Sequence, residues 1–588
     1  MQFGRIWQQL LTGAAALATL AAAACGTAAT PTTQPTATAR PANTPPAATA
    51  PAAPTAVPKP TAITSARNSI TLVLNEEPIT LDPFLTQGGI AQSAVKDNMV
   101  DALTWQSFDD LRVVPTGATE SWKQMDPDTW QFELRKGVKF HNGEAWNAQA
   151  ALPSLAFQGV AANGNTSYRL TGGYKAEAVG EYTVNINCDL ACPILPSGST
   201  ILNFTAPNYL ASATKEDLTR NVVSFGPYKL IKWEAGVSIT GEVYDGYTPG
   251  GNHKEFQKPY IRNAKWFWRN EPTVATAMVK AGEADIAWDV GVEATKALPK
   301  EMIRSGSSAE VFQFHVNTLW HPELKKKKVR LAIVHAINCK EIVETLYGGL
   351  PPCRGNFAWP GVTGATQSNT APYEYNPTLS KQLLQEAGYD PKNKIRIMGR
   401  ANRIPKLPEV YEAMQAYLKN VGITAEIGVV EPAQWRKLRE CGAGQALIEV
   451  LQAQGKDPAK DKPTLADMQA ALDKGGATCP QADTMENQLS LENLDYGTPA
   501  NNYLNCTRPL SFICDPSPGG LQEQLAAAQA ASGVERQRLM AALADRVHDD
   551  ALVIPMFEPP VVYAVHSKLN WKPRFDRRVR VSTMWFSP

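Results

Sequence analysis

Histidine is scarce in this chain, with seven in 588 residues. His315, His321 and His335 come closest to a cluster, and on a single strand or helix His315 and His321 share no face at metal-ligand spacing. The cysteines offer no C-x-x-C pair: CDLAC has the wrong spacing and no neighbouring histidine, so no zinc pattern is present and no metal or cofactor is expected. Also missing are G-x-S-x-G, H-E-x-x-H and a phosphate-cradling glycine loop. The adjacent carboxylates Asp109 with Asp110 and Asp549 with Asp550 point apart and read as solvated loop and helix-end charges. Catalysis therefore has no visible carrier, and the chain reads as a non-enzyme. No sign of charge dominates either, since 57 basic against 56 acidic residues leave a net charge of +1. Nothing there points to nucleic acid or a polyanionic surface. The one basic cluster, Lys325 to Lys328, reads as the solvated start of a helix. Beyond Ala24 no apolar run approaches the roughly 20 residues that span a bilayer.

What is present begins with a targeting pattern. Arg5 precedes an apolar run from Leu10 to Ala24, the shape of a secretory signal. Ala22, Ala23 and Ala24 then precede Cys25 and Gly26, which resembles the lipobox of bacterial lipoproteins, although Ala22 stands three before the cysteine and the nearest leucine, Leu20, lies two places too early. The expectation is a signal peptide over 1–24 and a lipid on Cys25; the alternative is an ordinary secretory peptide. Two acyl chains anchor stably where one is marginal. From Thr27 to Ala66 the sequence is almost wholly Thr, Ala and Pro. Such a composition cannot bury enough surface to offset its ordering entropy, so 25–66 is expected to be a disordered tether. Fully extended at about 3.1 Å per residue, it would reach roughly 120 Å.

From Arg67 onward tryptophan, tyrosine, leucine and valine appear with regular turn residues, and about 520 residues predict two or three domains. Eight further cysteines in an exported chain argue for disulfides. Neighbourhood suggests Cys188 with Cys192, Cys339 with Cys353, Cys441 with Cys479 and Cys506 with Cys514. Ile70 to Leu74 and Ile423 to Val430 read as strands. Pro408 to Asn420 places Val410, Met414, Tyr417, Leu418 and Val421 at helical spacing before Gly422. Thr464 to Lys474 opens on T-x-x-D and stops at Gly475 and Gly476. Gly533 to Leu552 carries Leu539, Leu543 and Val547 on one face. The apolar stretch ALVIPMFEPPVVYAV after it, broken by Pro555, Pro559 and Pro560, predicts strands crossing between lobes and not a central ladder.

Six blocks occur in order along the folded part: LNEEPITLDP, FELRKGVKFHNGEAWNAQA, SFGPYKLIKWEAG, VKAGEADI, KKVRLAIVHAINCKEIVETLYGG and FEPPVVYAVHSKLNWKPRFDRRV. Together they resemble the family-five extracellular solute-binding proteins, receptors of ABC importers for oligopeptides, dipeptides and nickel. Two positions depart from the family pattern, Asn142 standing for an aspartate and Cys339 for an arginine. The resemblance implies an α/β, two-lobed periplasmic-binding-protein type II fold of the peptide-binding cluster, with a subdomain inserted in lobe one. On this chain lobe one would be 67–103, 222–314 and 551–588, the inserted subdomain 104–221, and lobe two 315–550 with a helical insertion near 441–482. FQFHVN and VIPMFEPP would form the hinge.

The quoted blocks read as scaffold: Gly and Pro of FGPYKL shape a turn, Tyr228 packs, Gly282 ends a helix and Ile286 enters a strand. Trp288 and Asp289 follow that strand where its end should face the cleft, Trp288 being alternatively a core residue. SLENLDYGTP resembles the family segment that supplies ligand contacts from lobe two. It offers Asn493, Asp495 and Tyr496, with Asp495 placed to meet a cation such as a peptide amino terminus, or, with Asn493, merely to hold a turn. Trp320 and Trp359 would wall the cleft or simply pack. The implied activity is capture of a small solute, by default an oligopeptide, with nickel chelates or saccharides still open, by a monomeric receptor that delivers it to ABC permease subunits. The protein would act outside the cytoplasm, on the outer membrane face or in the periplasm, held only by its lipid. A sensor or scavenger without a permease is the second reading, and an anchored exported hydrolase a third for which the chain offers no residues.

Overall fold

The computed structural model describes residues 64–85, 89–108, 111–159, 173–189, 191–250, 253, 255–306, 308–401, 403–458, 460–478, 482–487 and 494–588. The expected signal segment, Cys25, most of the expected tether, Cys479 and Asn493 lie outside the described residues. Among those described, no helix is long and apolar enough to cross a membrane.

Three sheets organise the rest. The first has seven strands in the order Ile303–Gly306, Val561–Val565, Ile286–Ala287, Ser69–Leu74, Asn263–Trp268, Ser238–Val243 and Tyr228–Glu234. Ser69–Leu74 runs parallel to both of its neighbours. Its alternation serves two cores: Ile70, Leu72 and Leu74 pack with Tyr228, Ile239 and Trp266, while Val73 packs on the other face with Phe267 and Val279. The second sheet orders Ala425–Val430, Ile395–Arg400, Thr484–Asn487, Phe312–Val316 and Val553–Phe557. Phe312, Phe314 and Val316 meet Ile395, Ile397, Val410, Met414 and Leu418 in its main core, whereas His315 turns to the opposite face against the Tyr503 ring, 3.7 Å away. A third, antiparallel sheet of Thr119–Asp126, Thr129–Leu134, Thr183–Cys188 and Tyr174–Ala178 has its own core around Phe132, Trp146, Phe204 and Phe225.

Several elements follow directly from local chemistry. The helix Leu407–Asn420 has Pro408 in its first turn and buries Val410, Met414 and Leu418 at i, i+4, i+8. The helix Leu465–Asp473 begins at a capping box in which Thr464 and Asp467 exchange side-chain and backbone hydrogen bonds. The helix Pro272–Ala281 ends at Gly282 with φ 79°, and the Tyr228 hydroxyl donates to the Ile261 carbonyl from a fully buried position. Lys327–Ala336 is a helix whose first lysines pair with Asp550 and Glu386. The structure joins Cys188 to Cys192, Cys339 to Cys353 and Cys506 to Cys514. Cys441 is also disulfide-bonded.

Three details differ from expectation. FQFHVN is itself a strand of the second sheet, so the chain crosses in the residues between Gly306 and Phe312; it returns through Glu558, Pro559 and Pro560. The stretch after Ala551 also splits unevenly. Val553–Phe557, with Pro555 inside it and a register shift opposite, is an edge strand, but Val561–Val565 is paired on both sides. Its prolines precede it, which leaves every N–H from Val561 onward free to join a ladder. In SFGPYKL, Gly226 has a packing role: a Cβ there would stand 2.3 Å from the Met99 carbonyl carbon, so two backbones touch where the sequence suggested only a turn.

Candidate functional site

The carboxyl ends of the parallel strands in both large sheets point toward the two crossings. In the second sheet Ile395–Arg400 runs parallel to Ala425–Val430 and Thr484–Asn487, and Gln313, just past the first crossing, sits opposite Asn487 at their ends. In the first sheet Gly306 pairs with Val561, and Val290, three residues beyond the strand end at Ala287, donates its N–H to Val562. Crevices outside carboxyl strand ends are where open α/β sheets bind ligands.

A cavity of about 360 Å³ lies at this place, lined from both halves by Asp289, Glu310, Tyr347, Arg403, Lys406 and Arg577, with Pro559 and Pro560 beside them. Each charged wall sits there for a local reason. Asp289 follows a strand end, Glu310 belongs to the first crossing, Arg403 and Lys406 fill the connection from Ile395–Arg400 to the next helix, and Arg577 lies on the returning tail. Asp289, Lys406 and Arg577 all have positive φ (46°, 57° and 58°), as does Ala309 in the crossing (53°). Non-glycine residues held in this left-handed region cost of order 1 kcal/mol each, and such strain gathers at ligand clamps and switch regions.

The charges are interlaced. Arg403 donates to Glu310 at 2.7 Å, Arg577 stands 4.0 Å from the same carboxylate, and Lys406 reaches across the halves to Glu293 at 3.1 Å. Burial raises the Asp289 carboxyl above its ordinary range, with Arg577 opposing. Behind Arg403, Glu486 is fully buried on Thr484–Asn487; neither of its oxygens makes a hydrogen bond of ordinary geometry, and Arg403 Nε stands 3.9 Å away. Burial raises that carboxyl too, against Arg400 and Arg403. Arg400, at the carboxyl end of its strand, and Arg439, at the end of the helix Pro432–Arg439, both lie over the Trp435 ring, at 4.6 and 4.5 Å. A larger groove, about 690 Å³ and walled by Trp571, Trp585 and Tyr260, includes no residue of the second-sheet half.

Of the residues singled out from sequence, Asp289 lines the cavity. Trp288 is buried in the first core, edge-on to Tyr563 at 5.3 Å. Trp320 packs on the helical insertion, its Nε1 donating to Leu472. Trp359 and Tyr496 are buried together in another cluster, where Tyr496 stacks on Phe357 and donates to Asn356. Asp495 meets a cation, but one of the chain's own: it takes both Nε and Nη2 of Arg536, at 2.9 and 2.7 Å, and also accepts from the Gly497 N–H. Asn493 lies outside the described residues. Sequence reasoning passed over Glu310, Arg400, Arg403, Lys406, Arg439, Glu486 and Arg577. The available signal was three cations in GRANRIPK immediately after a β-branched run.

The family model for bacterial extracellular solute-binding proteins, family 5, middle region, matches residues 112–466. The glutathione-binding protein GsiB of Escherichia coli (strain K12) is 25% identical over 388 residues, which cover 65% of this chain and 73% of that protein. The ABC transporter substrate-binding protein CtaP of Listeria monocytogenes superposes with a TM-score of 0.69 at 17% identity, over 88% of this chain and 99% of that one. DppA from Helicobacter pylori, solved in complex with the peptide STSA, gives 0.62 at 20% identity, over 89% and 98%. These structures share one mixed α/β architecture with the chain, the two-lobed type II periplasmic-binding-protein fold.

Proposed function

Because the chain belongs to the bacterial extracellular solute-binding proteins of family 5, a family of binding proteins and not enzymes, we propose that it is the receptor of an ABC importer, capturing a short peptide between its lobes and presenting it to a membrane permease. The observation that carries this reading is the cavity between the strand ends, where carboxylates (Asp289, Glu310) and cations (Arg403, Arg577) from both halves face one space. A short peptide offers a matching ammonium and carboxylate, and charge-assisted hydrogen bonds to each are the strong ones. A volume of about 360 Å³ is of the size of small-molecule sites. The peptide-bound relative and the glutathione-binding relative support the same class.

Mechanistically, each lobe is a rigid sheet with its helices, and the two connections by the cavity are the place where backbone angles change. A solute that touches both lobes stabilises only the closed arrangement and so shifts the population toward it. The reading includes a lipid on Cys25, which would keep the receptor near its permease and raise its effective concentration there. Mass spectrometry of the mature amino terminus tests that part. For the solute, the protein is purified from its host without denaturation and whatever travels with it is identified by mass spectrometry. A mixture of short peptides supports the reading; a single non-peptide metabolite overturns it. Uptake unchanged after disruption of the partner permease would point instead to a sensor or scavenger.

A further inference from the structure

We infer that the Cys339–Cys353 disulfide is a redox switch for solute capture: an external dithiol opens this bond ahead of its fellows, and the opening loosens one wall of the cavity and weakens solute binding. The inference rests on the solute-receptor reading and adds a regulation to the same site.

Access sets this bond apart. Of the disulfides whose two cysteines both lie among the described residues, Cys188 and Cys192 are 7% and 6% exposed and Cys506 and Cys514 are 1% and 4% exposed, whereas Cys339 and Cys353 are each only half-buried. Exchange needs a thiolate to reach a sulfur, so the least buried bond is the one a dissolved dithiol meets first. Its leaving group is favourable too. Cys339 is the first residue of the helix Cys339–Tyr347, whose N-cap Asn338 accepts from the Glu341 N–H, and the partial positive charge of a helix amino terminus stabilises a thiolate. The reductant's thiolate attacks Cys353 Sγ, the S–S bond breaks, and its electron pair leaves on Cys339 Sγ. The reductant's second thiol loses its proton, closes the reductant's own disulfide and releases the Cys353 thiolate. Each cysteine takes up one proton, and the dithiol is oxidised by two electrons. The Cys339 thiol then has an acceptor in place, the Met556 carbonyl at 3.1 Å.

Position couples the bond to the site. The helix that Cys339 opens ends at Tyr347, which lines the cavity with Leu346, donates its hydroxyl to the Pro405 carbonyl at 2.5 Å and stands 5.2 Å from the Phe557 ring. On the other side of the bond, Cys353 bridges to Phe557, the Arg354 N–H donates to the Met556 carbonyl, and the Glu558 N–H donates to the Pro352 carbonyl. One covalent link therefore ties a cavity wall to the edge strand that feeds the returning crossing. Between its two ends the chain runs through Gly348 and Gly349, at φ 62° and 76°, and the exposed Leu350. Paired glycines hold a connection weakly. With the bond open, helix end and strand end keep only their non-covalent contacts, the wall is in place for a smaller fraction of the time, and apparent affinity falls with that fraction.

The test treats the full chain with graded dithiothreitol, traps free thiols with iodoacetamide and maps them by mass spectrometry, then measures binding of the tripeptide Ala-Ala-Ala by calorimetry and backbone amide exchange. Cys339 and Cys353 are expected to be alkylated at reductant concentrations that leave Cys188–Cys192 and Cys506–Cys514 closed. The selectively opened protein is expected to bind the tripeptide roughly threefold to tenfold more weakly, to exchange faster at Tyr347, Met556 and Phe557, and to recover both properties when reoxidised before trapping. The double variant Cys339→Ser, Cys353→Ser should reproduce the weaker binding and ignore dithiothreitol, while Cys188→Ser, Cys192→Ser keeps the response. Should the first variant fail to fold, the selectively alkylated native chain supplies the same comparison. Another disulfide opening first, or an affinity unchanged by selective opening, overturns the switch and leaves the peptide reading standing. If Ala-Ala-Ala binds neither form, the short-peptide reading falls and exchange decides the switch: faster exchange at those three residues supports it, and unchanged exchange overturns it as well.

Discussion

At the residue scale, Asp495 shows how a side chain changes its assignment once its neighbours are known. Its carboxylate and the Arg536 guanidinium are both buried and doubly hydrogen-bonded, and Arg536 further donates to the Ala528 and Gln529 carbonyls. Removing one partner of such a pair strands the other charge. Asp495→Ala is therefore expected to lose about 3 kcal/mol of stability in urea unfolding, with a similar loss for Arg536→Ala and a smaller one for the double variant; an unchanged midpoint for Asp495→Ala would refute the pairing. Two buried histidines contribute to acid sensitivity. Burial holds His141 down at about 4 and, with Arg439 nearby, His315 at about 3. A histidine whose folded pKa is depressed leaves the unfolded chain binding more protons, so its contribution falls as pH drops from 6.5 toward the folded pKa, by about 1.4 kcal/mol per pH unit. Raised carboxyls such as Asp101 and Asp289 act in the opposite sense, so the measurement is a difference. Between pH 6.5 and 4, the full chain should lose stability faster than His141→Gln. The cavity charges were poorly legible from sequence because they are assembled from a strand end, two connections and the C-terminal tail. Only Asp289, directly behind a readable strand, was named from the sequence. For the tryptophans two readings stayed open, because a large ring beside a loop has the same local pattern whether it walls a cleft or fills a core.

At the element scale, legibility was high wherever local chemistry and burial agree. The helix Leu407–Asn420 and the capped helix Leu465–Asp473 lie within a residue or two of their readings, because spacing and caps are written in adjacent positions. The first crossing was misplaced because FQFHVN has the alternation of a strand, and only its pairing with Thr484–Asn487 and Val553–Phe557 says which sheet owns it. Gly226 depends on a distant element in the same way. Its missing Cβ admits the Met99–Val100 backbone, and the Gly226 N–H donates to Met99. Gly226→Ala is expected to destabilise by about 2 kcal/mol or more, since backbone cannot step aside as a side chain does. Gly236→Ala, at a φ of 74° but with open space around it, tests backbone strain alone and should cost about 1 kcal/mol. Equal losses would show that the turn, and not the contact, sets the cost.

At the scale of the whole molecule, the lobes are joined at the cavity by segments of which the returning one is Glu558-Pro559-Pro560. Two prolines narrow the backbone angles that segment can explore. Replacing both with glycine should leave each lobe's unfolding unchanged, broaden the solute-free distribution of lobe separations in X-ray scattering, and weaken solute binding a few-fold through the added ordering cost. An unchanged distribution would place the compliance elsewhere. The strand that feeds this segment is itself fixed in place. Cys339 and Cys353 close a covalent loop against it: Cys353 bridges to Phe557, the Arg354 N–H donates to Met556, and Arg354 pairs with Glu558. On the proposed closing motion, the disulfide would work as a mounting plate beside a pivot: it would leave the extent of the swing free but fix where the swing begins, delivering a force transmitted along the chain to three residues instead of peeling an edge strand from its sheet.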